Sequence, residues 1–292
     1  MMSMKYYFYC MFIMVLLVGN ITQGAIVVFQ STAKADTFVQ QNSPNENSGT
    51  RGALSVAGSE ALNIAEQPVG QTDTFIMFNL ASEVAYMDSY FGSQNWVIHE
   101  ISLYFVEQSA PSNSRFGIGQ GHFEVRWIAA DDWSETLLTW NTKDIYLGKE
   151  TDIPVGIFDN LFCGDAYLPT QRFTLNTPQT MIDDIRDGND VSFYLTAADT
   201  AIGFTFNSID ITGTRPHPYL ELTAIVYDDA DLNHDGVINF SDYEIIFKNW
   251  NSTGPEIDGD ANKDGIVDYK DMEKLLKYWE NWLDYDLWNT EE

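Results

Sequence analysis

The chain is short of cysteine, of cations and of long apolar runs, and each shortage removes a class of explanation. Its 292 residues hold two cysteines, Cys10 and Cys163. Cys10 falls inside the opening "MMSMKYYFYCMFIMVLLVGNITQGA", which reads as a removable leader, so only Cys163 is expected to remain. No internal disulfide can then form, and the fold must be held by packing and metal. Cys163 lies in no nucleophile motif and reads as a small packed hydrophobe. Lys and Arg number 15 against 43 Asp and Glu, for a formal net charge of −28. A phosphate backbone needs a basic stripe, so nucleic acid is excluded as a partner, and an anionic membrane surface is disfavoured for the same reason. The apolar run Tyr6–Val18 is shorter than the roughly 20 residues of a spanning helix. With Lys5 before it and Thr22-Gln23-Gly24 after it, residues 1–24 read as a secretory signal. The expected product is secreted or held at the cell surface, with no integral span.

What the chain does have is apolar and aromatic residues, 45% and 14%, far too many for a solvated acidic polymer. From Ala25 to Tyr227 they fall in strand patterns: "AIVVF", "DTFVQ", "ALSVAG", "TFIMFNL", "WVIHEISLYFV", "HFEVRWIA", "TLLTW", "VSFYLTA", "IGFTFNS" and "YLELTAIV". Turn clusters such as "NSPNENSG" punctuate them. The one helical pattern is Thr177–Arg186, with Thr177 as N-cap and Pro178 at the first position. Many short strands without alternating helices predict a jelly-roll-like β-sandwich over residues 25–227.

The acid is concentrated at the end, with 18 Asp/Glu against 5 Lys between Asp228 and Glu292. Two segments there, Asp231–Trp250 and Asp260–Trp279, align without gaps and are identical at eight positions. Calcium takes six to eight oxygens, and a 12-residue loop supplies them from side chains at positions 1, 3, 5, 9 and 12 and from the carbonyl at 7. In the first segment these are Asp231, Asn233, Asp235, Val237 (carbonyl), Asn239 and Asp242. In the second they are Asp260, Asn262, Asp264, Ile266 (carbonyl), Asp268 and Asp271. Gly236 and Gly265 stand at position 6, where the turn is tightest. Ile238 and Val267 at position 8 are expected to pair the two loops through their backbones. Each loop is followed by a helical apolar face, Tyr243/Ile246/Phe247/Trp250 and Met272/Leu275/Leu276/Trp279, and each face is expected to bury the other. The tail at 228–292 is thus a small all-α, EF-hand-like module with two Ca2+ sites.

A strand pattern, not a helix, precedes the first loop, and position 12 is Asp instead of Glu. This doubled loop–helix half resembles the type I dockerin module. The resemblance implies docking onto a cohesin-like domain, with positions 10 and 11 helping to select the partner. Those positions are Phe240-Ser241 and Tyr269-Lys270, and Lys248 and Lys277 complete the expected partner face. Self-association through the same module is the other expectation. The order of landmarks in residues 25–227, above all "DDWSETLLTWNT" and the closing "PYLELTAI", resembles the DNRLRE-type sandwich of secreted bacterial and archaeal proteins. That resemblance implies a non-catalytic module similar to carbohydrate-binding modules, with polysaccharide as a possible ligand.

Trp133 and Trp140 could stack on sugar rings, although aromatics in a sandwich are more often core. A polysaccharide-degrading enzyme, which would need two opposed carboxyls, is the alternative. Glu124, Asp131, Asp132 and Glu135 are the carboxyls available by type, and nothing in the sequence singles out a pair. A purely structural envelope protein is the second alternative. His99, His122 and His217 lack metal spacing, and His234 fills loop position 4, which is not a ligand position.

Overall fold

The computed structural model describes residues 14–16, 25–63, 65–93, 95–108, 120–148, 152–159, 170–234, 238–255 and 257–286. Cys163 and most of residues 1–24 lie outside them. The elements run β1 (Met14–Leu16), β2 (Ala25–Thr32), β3 (Ala35–Gln40), β4 (Ala53–Ala57), β5 (Thr72–Asn79), α1 (Ala81–Phe91), β6 (Trp96–Val106), β7 (His122–Ile128) and a 3-10 turn at Lys143–Ile145. There follow β8 (Ile153–Asp159), β9 (Thr170–Thr174), α2 (Gln179–Arg186), β10 (Asp190–Ala197), β11 (Gly203–Asn207), β12 (Tyr219–Val226), α3 (Phe240–Lys248) and α4 (Tyr269–Asp286). By compactness the chain divides into two units, one built on residues 29–86 and 100–223, the other on 224–292 with 13–28 and 87–99.

Two antiparallel sheets form the sandwich. One has the strand order β1-β2-β12-β6-β9, the other β11-β4-β5-β10-β7-β8 with β3 also on β5. Alternation dictates the layers. In β12 every second residue is buried, placing Leu220 and Leu222 inside and Tyr219 and Glu221 outside. Between the sheets, Phe105 of the first meets Phe206 of the second (4.3 Å between ring centroids), and Phe173 meets Phe123 (5.2 Å) and Phe204 (6.3 Å). Each such ring, fully buried, contributes about 1.5–3 kcal/mol.

The outer face of the second sheet is also covered. Residues 129–148 cross it and pack Trp133 and Leu138 on Val39, Phe75, Met77, Ile128 and Tyr194. This segment contains the expected strand "TLLTW", which is instead a turn and an irregular stretch. Long-range bonds hold it so: Asn47 donates from its Nδ2 to the carbonyls of Glu135 (2.7 Å) and Leu138 (2.8 Å). A buried ion pair pins its far end, Lys143 reaching Asp73. Three neutral donors complete the Asp73 carboxylate: Tyr194 Oη (2.8 Å), Thr196 Oγ1 (2.7 Å) and Gln71 Nε2 (3.2 Å).

Helix α1 was not expected, yet Leu80, Val84 and Met87 are buried at helical spacing and the Asn79 side chain accepts from Ala81 N (3.3 Å). Helix α2 begins at Gln179 with Pro178, not Thr177, as its N-cap, and buries Met181 and Ile185. Strands β8 and β9 were also missed.

Candidate functional site: the paired acidic loops

In the second unit both loop–helix repeats adopt the same backbone device. The position-12 carboxylate turns back into its own loop, and each of its oxygens accepts one N–H. Asp242 takes those of Asn233 (3.1 Å) and Asn239 (2.8 Å). Asp271 takes those of Asn262 (2.9 Å) and Asp268 (2.8 Å). Both carboxylates are fully buried, and a buried charge without such partners would be costly. The position-9 side chains cap the following helices: Asn239 Oδ1 accepts from Ser241 N (2.7 Å) and Asp268 Oδ1 from Lys270 N (2.8 Å). Position 4 is left-handed in both, His234 at φ 57° and Lys263 at φ 59°, a repeat that residue identity did not reveal. Gly265 at position 6 has φ 83°, where a side chain would be strained. Asp260 accepts from Asp264 N (3.2 Å) and Gly265 N (2.8 Å), tightening the second loop. Asp235, Gly236 and Val237 lie outside the described residues.

The donor chemistry fits a hard divalent cation. Every expected side-chain ligand is Asp or Asn, with no sulfur or imidazole among them, and the register matches a calcium loop. Among the described residues no three His, Cys, Asp or Glu side chains converge on a common point. Asp264 instead receives Lys270 Nζ (2.7 Å).

The small core of this unit is Ala230, Ile238, Ile246, Val267 and Leu275, with Leu232, Tyr243 and Ile257 against it. Two expectations are corrected. Val267 does not pair with Ile238 through the backbone, because its N–H goes to Ser252 O (3.0 Å) and its C=O accepts from Asn251 N (2.9 Å). The residues after α3, not the first loop, therefore zip onto the second loop. Nor is the whole apolar face of α3 buried. Ile246 is, but Phe247 is 67% exposed and Trp250 is exposed too. Phe240, Tyr243 and Phe247 form a ladder of stacked rings, 5.4 and 6.3 Å between centroids. At the matching place on α4, Tyr269 and Leu276 are exposed and line a shallow groove with Lys270, Lys274 and Lys277. Of the expected partner residues, Lys248 is tied to Glu244 (3.1 Å). Asp229 joins the repeats through Lys263 (2.7 Å) and Lys274 (2.7 Å).

In the sandwich, Trp133 offers no ring face to a sugar. It is buried, gives its indole N–H to Ser192 Oγ (3.0 Å) and packs edge-on to Phe75. Trp140 is half-buried with the Lys143 ammonium 3.5 Å from its ring centre. Glu124 is paired with Arg126 (3.5 Å) on β7. Asp131 lies in the covering segment, where burial pushes its carboxyl up to about 6. Burial, then the nearby Asp210, also raises Glu135. No two of these candidate carboxyls share a partner among the described residues.

Residues 27–154 match the family model of carbohydrate-binding module family 96. Residues 229–280 match that of the dockerin type I domain. Neither matched model is that of a catalytic domain. No curated protein matches the chain.

Proposed function

From a chain built as a carbohydrate-binding module followed by a type I dockerin, we propose an exported, non-catalytic protein that attaches a polysaccharide-binding sandwich to a partner through a calcium-loaded tail. In this reading residues 1–24 are the leader. One Ca2+ is held by Asp231, Asn233, Asp235, the Val237 carbonyl, Asn239 and Asp242. A second is held by Asp260, Asn262, Asp264, the Ile266 carbonyl, Asp268 and Asp271. When bound, the cation serves as a structural charge centre that offsets the repulsion among these carboxylates. The protein's own residues do the rest: the position-12 aspartates fold the loops inward and the position-9 residues start the helices.

The observation that carries the reading is the doubled device itself, four N–H bonds to two buried carboxylates in matching register. The exposed residues Phe240, Ser241, Tyr269 and Lys270, with Lys248 and Lys277 behind them, form the proposed docking face. Its partner is a cohesin-like domain. Calorimetric melting of the full chain with calcium and with EGTA tests the division of labour. Chelation is expected to abolish a transition of the tail and leave that of the sandwich in place. A single melt indifferent to EGTA overturns the proposal.

A further inference from the structure

The two acidic loops are unequal in charge. The expected ligands of the first include three carboxylates, Asp231, Asp235 and Asp242. Those of the second include four, Asp260, Asp264, Asp268 and Asp271. The difference lies at position 9, Asn239 against Asp268. Ligand charge is one of the quantities that set the affinity of such loops, so on donors alone the second is the stronger. Position 11 differs as well, being Ser241 in the first repeat and Lys270 in the second.

Lys270 stands in the first turn of α4 and returns to its own loop twice. Its backbone N–H donates to Asp268 Oδ1 (2.8 Å) and its Nζ to Asp264 Oδ2 (2.7 Å). The other oxygen of Asp264 accepts from Ile266 N (3.2 Å), and Asp264 N donates to Asn262 Oδ1 (2.8 Å). The Asp264 carboxylate is thus held from two sides, by the main chain on one oxygen and by an ammonium on the other. The neighbouring lysines are directed elsewhere. Lys263 and Lys274 each bond Asp229 (2.7 Å), and Lys274 also donates to Ala261 O (2.8 Å). Of these three ammonium groups, Lys270 is the one seated on an expected ligand.

An ammonium bonded to a carboxylate oxygen offsets part of the charge that a divalent cation would meet there, and it repels the cation as well. Both effects lower affinity. Their size is modest, because the Lys270 and Asp264 side chains are 50% and 32% exposed and solvent screens them. Ser241, a neutral hydroxyl, supplies no such charge at the corresponding place in the first repeat.

We infer that Lys270 attenuates the second calcium loop through Asp264, offsetting the extra carboxylate of Asp268 and drawing the two loops towards equal strength. This rests on the two-calcium reading above and gives Lys270 a charge-tuning role in addition to its place on the docking face. Calcium titration calorimetry of the full chain tests it. Lys270→Met keeps the length of the side chain and loses the charge. It is expected to tighten one of the two sites about two- to fivefold and to leave the other unchanged. Lys270→Ser, which gives the second repeat the position-11 residue of the first, should do the same, and Lys270→Arg should stay near the parent. Lys277→Met removes a positive charge from the same helix about 10 Å further along its axis, and should leave both sites nearly unchanged because solvent and salt screen at that range. Helical circular dichroism confirms that each variant is folded. Unchanged or weaker uptake in both Lys270→Met and Lys270→Ser overturns the attenuation while leaving the calcium reading intact. An equal gain from Lys277→Met overturns the assignment to the bond with Asp264. A parent chain that takes up no calcium removes the reading on which the inference rests.

Discussion

Lys143→Met would test the hidden ion pair of the sandwich. The substitution keeps the length and most of the volume of the side chain but removes the cation from Asp73, whose side chain is 0% exposed. Breaking a buried pair by removing one partner costs about 3–5 kcal/mol, because the remaining charge is uncompensated. The donors from Tyr194, Thr196 and Gln71 stay in place, which puts the expected cost near the lower end, about 3 kcal/mol. The Trp140 ring loses its cation as well, worth about 1 kcal/mol. For a sandwich of this size, 1 kcal/mol moves the melting temperature by roughly 2–4 °C, so a drop of about 8–16 °C is expected. Near-UV circular dichroism is the suitable probe, since Trp133 and Trp140 both lie in the pinned segment. The companion variant Lys143→Met/Asp73→Asn removes the stranded charge and should recover more than half of the loss. A shift below about 2 °C, or a double variant no better than the single one, would refute the reasoning.

Other perturbations have equally definite outcomes. Asp36 is buried, accepts from Ser208 Oγ and Ile209 N, and is pushed up to about 7 by burial. A carboxyl raised above its unfolded value stabilises the fold while protonated, so its contribution is lost as pH climbs through 7. Between pH 5 and 8 this amounts to roughly 3 kcal/mol, and Asp36→Asn should flatten that part of the pH–melting profile. Trp133→Ala should cost about 3–5 kcal/mol of sandwich stability by urea titration, with no calcium dependence. Gly265→Ala, at positive φ with Gly254 O 3.4 Å from the added carbon, should cost the tail about 1–2 kcal/mol and weaken calcium uptake measured by titration calorimetry. Phe240→Ala with Tyr269→Ala should abolish calcium-dependent capture of a cohesin domain without changing the helical signal of the tail.

The sequence was most legible where its devices are local. The doubled loop–helix device declares itself because the expected ligands, turn glycine and cap lie within 12 residues, and β12 because it alternates without a break. Legibility failed where distant partners decide. Leu137 and Leu138 look like strand, yet Asn47, some 90 residues earlier, holds their neighbourhood as a turn. Trp133 can be read as sugar platform as well as core until Ser192 takes its N–H. The apolar stripe of α3 looks like a buried seam, but the core of the tail is small and Ile246 with Leu275 already fills it. Nothing in the spacing of Tyr104, Arg172 and Tyr219 announces that Tyr104 stacks on Tyr219 and lies under Arg172, because only sheet topology makes them neighbours.

The pairing of β4 with β11 has a consequence for the order of folding. Ser55 and Thr205, which face each other there, are 150 residues apart. A chain emerging from the ribosome would carry one edge of β4 unpaired until nearly the whole sandwich had been made, since β5 covers only the other. Such non-local closures place folding on the millisecond-to-second scale. Under the export proposed above, a chain that stays open this long would remain threadable through a secretion channel, with the late strands β11 and β12 as the latch that completes the sandwich on the far side.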